Sequence, residues 1–388
     1  MTSLESLNPC LERTFRGHKS YVTSLTFSPS LNQMASGSGD NSIMLWSFKP
    51  QLQAFRLVGH NDVVTDVQYS PGGDILASVS KDRTIRLWIP NARGQSRAIK
   101  GHTGAVRSVK FSPDSRYLLT ASDDKLIKIW TLPSRKFLCS LGGHSNWVRG
   151  ATFSPDAKQI ASGGDDKLVK LWDTETRFCL WSSNHHTDVV NGVCFADGNC
   201  FSSCSADSSI NFYDKRSFGL IQSYSTHKGG VTSISMHSSS NFLISSSKDA
   251  SLKVWDLRKG RELFQLNSHK GSVNAVKFSE DGEFFASGGQ DQSVMVWKTN
   301  LMGTIPDEWD PLGASARFKQ KKHSISTKNT DISIEKNCRQ NRKPLLALQK
   351  SLPIQTPTST YSVSSAGKMK ASLIYTNSYP IFALTLST

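Results

Sequence analysis

The stretch GHTGAVRSVKFSPDSRYLLTASDDKLIKIW, residues 101–130, decides the fold, because four marker residues stand in it at fixed spacing with alternating apolar runs between them. His102 opens the stretch, Thr120 follows 18 residues on, Asp124 four beyond that, and Trp130 six further. Val106, Val109 and Phe111 follow the histidine in a strand pattern, and Ile127, Ile129 and Trp130 make a second one. Ser112-Pro113 and the segment around Asp124 are turn signals between them.

Outward from this stretch the same grid recurs. Histidines stand at His18, His60, His102, His144, His186, His227 and His269, in steps of 42 residues with a single step of 41. Each has its hydroxyl: Ser36, Ser78, Thr120, Ser162, Ser203, Ser245 and Ser287. Each has its aspartate: Asp40, Asp82, Asp124, Asp166, Asp207, Asp249 and Asp291. The aromatics closing the units are Trp46, Trp88, Trp130, Trp172, Tyr213, Trp255 and Trp297. A period near 42 residues with several short strands per unit predicts seven stacked sheets of one repeat architecture. The four markers can form one buried chain in which indole N–H donates to hydroxyl, hydroxyl to imidazole and imidazole to carboxylate. Loss of one buried partner would cost about 1–3 kcal/mol. A His-Ser-Asp set invites a hydrolase reading, but seven periodic copies completed by an aromatic point to structural staples and not to a catalytic triad. The fifth unit departs from the rule, with Tyr213 for tryptophan and no glycine before His186, and is expected to be either the loosest or the one remodelled for a partner. The segment Leu11–Phe15, ahead of the first Gly-His, is expected to complete the unit that ends at Trp297 and so close a ring without exposed sheet edges.

A chain of 388 residues with 37% hydrophobic content can bury a sizeable core. Met1–Cys10 lacks the basic start and apolar run of a secretory signal, and no apolar run is long enough to span a bilayer, so an intracellular protein without membrane insertion is expected. Seven cysteines without paired spacing read as free thiols, and Cys200 and Cys204 lack the companions that a zinc site needs. No metal, cofactor or small-molecule substrate is implied, and no phosphate loop, H-E-x-x-H or G-x-S-x-G appears in a suitable context. The net charge of +15 suggests acidic partners such as RNA, acidic protein tails or the tubulin lattice. Ten Lys or Arg against two acids fall between Arg317 and Lys350, including Lys319–Lys322, Arg339, Arg342 and Lys343; aromatics are nearly absent there, which gives nucleic-acid stacking little support.

The Gly-His start, the Trp-Asp-like end and the period resemble the WD40-repeat family. The resemblance implies an all-β, seven-bladed propeller at residues 11–299, followed at 300–388 by a basic tail rich in Ser, Thr, Lys and Asn. The tail carries Pro344, Pro353, Pro357 and Pro380 and no sustained heptad pattern, so disorder is expected. In this family the partner-facing rim commonly uses the third and fifth residues after the histidine and the residue before the turn aspartate. Carried over, these slots place Tyr21, Lys81, Arg107, Asp123, Trp147, Arg149, Asp165 and Lys248 on the rim. An aromatic at Trp147 beside Arg107 and Arg149 has the composition of an interface hot spot; the competing reading has Trp147 packed over its own blade and the arginines paired with Asp123 and Asp165.

Residues outside the repeat consensus narrow the resemblance. Leu11-Glu12-Arg13, LWSFKP (45–50), KDRTIRLWIPN (81–91), HSNWVR (144–149) and GEFFASGGQDQSVMVWKTN (282–300) resemble the proteome of centriole protein 1 family. That resemblance implies a non-enzymatic scaffold of centrioles and basal bodies in the cytoskeleton, needed for centriole assembly or stability and for cilium formation. Its implied partners are centriolar and microtubule-associated proteins, tubulin among them. Members of that family usually end in a coiled coil, which is not legible here. Two other readings stay open. Trp255-Asp256-Leu257-Arg258 matches a W-D-x-R sequence by which some WD40 proteins dock on a cullin-RING ubiquitin ligase adaptor, and the basic tail fits an RNA-processing scaffold.

Overall fold

Each histidine is followed four residues later by a valine, and the valine opens a strand of alternating apolar residues that must hide one side from water. These strands, Val22–Phe27, Val64–Tyr69, Val106–Phe111, Val148–Phe153, Val190–Phe195, Val231–Met236 and Val273–Phe278, are the innermost of seven antiparallel four-stranded sheets. The seven opening valines are completely buried. The computed structural model describes residues 8–49, 52–91, 94–132, 134–196 and 198–301, and within them the chain is an all-β, seven-bladed propeller. The basic segment 317–350 and the rest of the tail beyond 301 lie outside the described residues.

The core sits between blades. Ala35, Ile43, Leu45 and Leu57 of the first blade pack against Val64, Val67, Tyr69, Leu76 and Trp88 of the second. Across the closing seam, Val22, Leu25 and Trp46 of the first blade pack against Ala275, Ala286 and Val294 of the seventh. Closure follows from strand Cys10–Arg16, which pairs antiparallel with Ser293–Lys298, setting Leu11 opposite Trp297 and Arg16 opposite Ser293. Phe15 then reaches the indole of Trp46, 5.1 Å away between ring centroids, so this segment joins the seventh blade to the first.

Two local features repeat with the blades. The residue after each turn aspartate, Asn41, Arg83, Lys125, Lys167, Ser208, Ala250 or Gln292, is left-handed, with φ between 62° and 70°. That conformation costs a side-chain-bearing residue roughly 1–2 kcal/mol; the aspartate offsets it by accepting a hydrogen bond from the backbone N–H two residues on, as Asp82 does from Thr84. The second feature is a bulge near the start of every inner strand, where the register skips one residue: Thr23, Thr65, Arg107, Arg149, Asn191, Thr232 or Asn274. A bulge turns its side chain out of the ladder and re-aims it, here at the fifth position after the histidine.

A chain beginning at Gly17 would leave Ser293–Lys298 as a bare edge and uncover Trp46. It is expected to lose its monomer peak in size-exclusion chromatography and to melt well below the full chain. Equal melting temperatures would show that ring closure contributes nothing.

Candidate functional site

The loop entering each blade brings its histidine over the second and third strands of the same sheet. In the fourth blade His144 Nδ1 lies 2.8 Å from Asp166 and Nε2 2.8 Å from Ser162, while the Trp172 indole N–H donates to the same Ser162 oxygen over 2.8 Å. The same three contacts hold His18, Ser36, Asp40 and Trp46, then His60, Ser78, Asp82 and Trp88. They recur in His102, Thr120, Asp124 and Trp130, in His227, Ser245, Asp249 and Trp255, and in His269, Ser287, Asp291 and Trp297. The network assigns the proton to Nδ1, which donates to the carboxylate, while the hydroxyl donates to Nε2. Each aspartate also accepts from the backbone N–H after the histidine, as Asp166 does from Ser145. Close approach of loop and indole explains the glycine at 101, where a Cβ would come within 2.2 Å of Trp130.

The fifth blade differs from the expected four-member chain. His186 meets Asp207 at 3.0 Å and Ser203 at 2.6 Å, but the buried Tyr213 hydroxyl has no hydrogen-bond partner, nor does the side-chain oxygen of Asn211. A phenol cannot place a donor where the indole N–H stands. Asn211 Nδ2 lies 3.3 Å from His186 Nε2 instead, and the His185 ring, in the place of the glycine, lies 5.9 Å from the Tyr213 ring.

The three rim slots meet at one end of the blades. In all seven, the third residue after the histidine accepts a backbone hydrogen bond from the residue before the turn aspartate, as Val63 does from Lys81, Trp147 from Asp165 and Gly230 from Lys248. Their side chains therefore stand next to each other. Arg107 makes two parallel bonds to Asp123, each 2.7 Å, and Arg149 makes the same fork with Asp165. Both guanidinium carbons lie against the ring of Trp147, at 5.5 Å and 5.7 Å from its centroid, and the indole is still 41% exposed. The arginines are thus paired with the aspartates while Trp147 remains open to solvent between two blades. Of the other rim residues, Lys81 and Lys248 are exposed on the second and sixth blades, and Tyr21 on the first is half-buried over Gly39; none of the three meets the Trp147 cluster.

Five of the seven fifth-position slots make contacts between blades. Thr23, Thr65, Asn191, Thr232 and Asn274 each donate to a backbone carbonyl of the next blade, at Val64, Val106, Val231, Val273 and Val22. They tie blades together, and in the third and fourth blades Arg107 and Arg149 turn to their own aspartates instead. Asp66 is a second inter-blade tie that the repeat grid did not single out. It accepts from Ser24 of the first blade at 2.6 Å, and from the Val109 N–H and Lys110 of the third at 3.0 Å and 2.8 Å. Its signal in the sequence is that the other six repeats carry Ser, Gly or Ala at this place: Ser24, Ser108, Gly150, Gly192, Ser233 and Ala275. In the Trp255–Arg258 segment, Asp256 is fully buried and caps its own turn by accepting from Arg258 and Lys259 N–H, while the Arg258 side chain is exposed beside it.

Seven segments, residues 9–47, 51–88, 94–131, 135–173, 177–214, 218–256 and 260–298, match the family model described as WD domain, G-beta repeat. Over 49 residues the chain is 57% identical to the POC1 centriolar protein homolog A of Danio rerio, a match covering 13% of this chain and 12% of that one. It is 51% identical over 49 residues to the homolog A of Xenopus tropicalis, and 51% identical over 51 residues to the POC1 centriolar protein homolog B of Mus musculus, with 13% of this chain and 11% of the relative covered in each case. The matched stretch is therefore about an eighth of the relatives' length.

Removing Ser162 as Ser162→Ala strands both an indole donor and an imidazole acceptor, and is expected to cost about 1–3 kcal/mol in urea unfolding. Tyr213→Phe removes a hydroxyl without a partner and should be neutral or stabilise by up to about 1 kcal/mol. The reverse ranking would contradict the network. Burial lowers the proton affinity of His18, His186 and His227, against the opposing pull of their aspartates. A base with a depressed folded pKa favours the folded state above its unfolded value of 6.5, and that stability is lost as pH falls below it. Burial alone would raise Asp40, but hydrogen bonds from Ser42, the Lys19 N–H and His18 outweigh it and hold the carboxyl at about 2, so its share is present above 3.8 and lost as pH falls towards about 2. The urea midpoint should accordingly fall on acidification from about pH 7, and more steeply below about pH 4; a midpoint that rises between about pH 7 and 5 would refute the assignment.

Proposed function

Because the chain belongs to the WD domain, G-beta repeat family, whose blades present loops and turns at their rims, we propose that residues 11–299 act as a non-catalytic protein-binding scaffold of centrioles and basal bodies, contributing to centriole assembly or stability and to cilium formation. Its partners are centriolar and microtubule-associated proteins, tubulin among them. Likeness to the POC1 centriolar protein homologs supports the address.

The observation that carries the binding role is Trp147. An indole that keeps 41% of its surface exposed while two guanidinium groups brace it is a preorganised apolar anchor: the arginines are themselves fixed by forked carboxylate bonds, so little side-chain entropy remains to be lost on docking. The cation–π contacts add about 0.5–1 kcal/mol each at an exposed site, and they tighten as a partner excludes water. The periodic tetrads serve as staples in this reading, and the rim does the recognition.

The test is fluorescence localisation of the tagged full chain and its Trp147→Ala variant in ciliated cells co-stained for centrioles. Centriolar spots for the full chain that fade by about tenfold for the variant, an effect of about 1.4 kcal/mol, are the expected result. A diffuse signal for the full chain would overturn the centriolar scaffold, and undiminished spots for the variant would remove Trp147 from recruitment.

A further inference from the structure

The inner strands enclose a central cavity of about 250 Å³ lined by polar side chains from all seven blades. Eight residues after the histidine, Thr26, Gln68 and Ser235 accept a hydrogen bond from a backbone N–H of the next blade, at Tyr69, Phe111 and Phe278. In the third and seventh blades that position holds Lys110 and Lys277, and an ammonium has no lone pair with which to accept. Lys110 bonds Asp66 at 2.8 Å. Lys277 has no ion pair or hydrogen bond among the described residues, and its half-buried side chain lines the cavity. Gln68 accepts through Oε1, which leaves its amide N–H groups without an acceptor in the same cavity.

We propose that this central cavity binds a small oxyanion, held by the ammonium of Lys277 with Lys110 and the Gln68 amide as further donors. A half-buried ammonium without an acceptor is left to solvent alone, and the free amide and ammonium groups around it are donors, which complement phosphate-like oxygens. Asp66 is already occupied by Ser24, Val109 and Lys110, so it pairs directly with one lysine and makes no ion pair with the other. Enclosure lowers the proton affinity of Lys277, and neighbouring Lys110 adds to this, while Cys194, Asp66 and Glu280 oppose it; a bound anion would reverse the shift. The volume lies below that of sites for drug-sized ligands, about 300–1,000 Å³, which selects a small ion over a nucleotide.

Inorganic phosphate titrated into the full chain, at ionic strength held constant with chloride, should raise the melting temperature saturably and broaden the phosphorus resonance. Lys277→Met should weaken this binding at least about tenfold while melting in chloride no lower than the parent. Lys277→Arg keeps the charge and should keep phosphate binding; it also serves if the methionine variant fails to fold. Absence of a saturable phosphate effect in the parent, or the same effect in Lys277→Met, would overturn the site.

Discussion

The imidazole held between a carboxylate and a hydroxyl is the constraint on which the rest of the propeller depends. In the fourth blade, His144 comes from the loop entering the blade, Ser162 from the second strand, Asp166 from the following turn and Trp172 from the third strand. One buried hydrogen-bond chain therefore sets the height at which the inner strand starts. Val148, four residues beyond the histidine, then falls fully into the core, and the bulge after it aims Arg149 away from the ladder. An error in the tetrad would propagate into both the inter-blade core and the rim, since each is built from residues counted from the same histidine. The fifth blade shows how much of the chain can be changed: imidazole, serine and aspartate keep their contacts, and the aromatic position alone loses its donor.

Blades are joined by two kinds of force. Apolar surfaces between adjacent sheets supply the bulk of the attraction, which is non-directional. Direction comes from side chains that cross the seams to a neighbour's backbone: threonines and asparagines at the bulge, and Asp66 reaching blades on both sides. The arginines at 107 and 149 interrupt this series. Each is matched in its own blade by an aspartate just ahead of the turn aspartate, and the two blades are neighbours. This matched departure from the structural pattern is what places both guanidinium groups against Trp147, at the point where the inter-blade series is broken.

The cavity follows the same logic one turn of the strand further in. Positions that accept hydrogen bonds from the next blade elsewhere are lysines in two blades, and the carboxylate of Asp66 satisfies one of them. The bulge residues line the cavity as well, so rim and cavity are continuous along the same inner strands.

Period, marker spacing and strand alternation were readable in the chain before any coordinates, because a repeat writes one local rule seven times and noise in one copy is corrected by the others. His18 to Trp297 could be assigned to their tetrads on spacing alone, and the closing role of the segment before the first Gly-His could be anticipated, since a ring of blades with one strand offset needs a partner for Ser293–Lys298. Whether Tyr213 could replace an indole was not readable, because it depends on where a phenol oxygen points among Trp181, Phe201 and His185. The fate of the fifth-position residues was likewise decided in three dimensions: Thr23 and Asn274 look as available for partners as Arg149 until the bulge brings a neighbour's carbonyl within reach. Local rules are written along the sequence, whereas contacts across a seam about 42 residues wide depend on the angle between blades, and that angle exists only once all seven have packed.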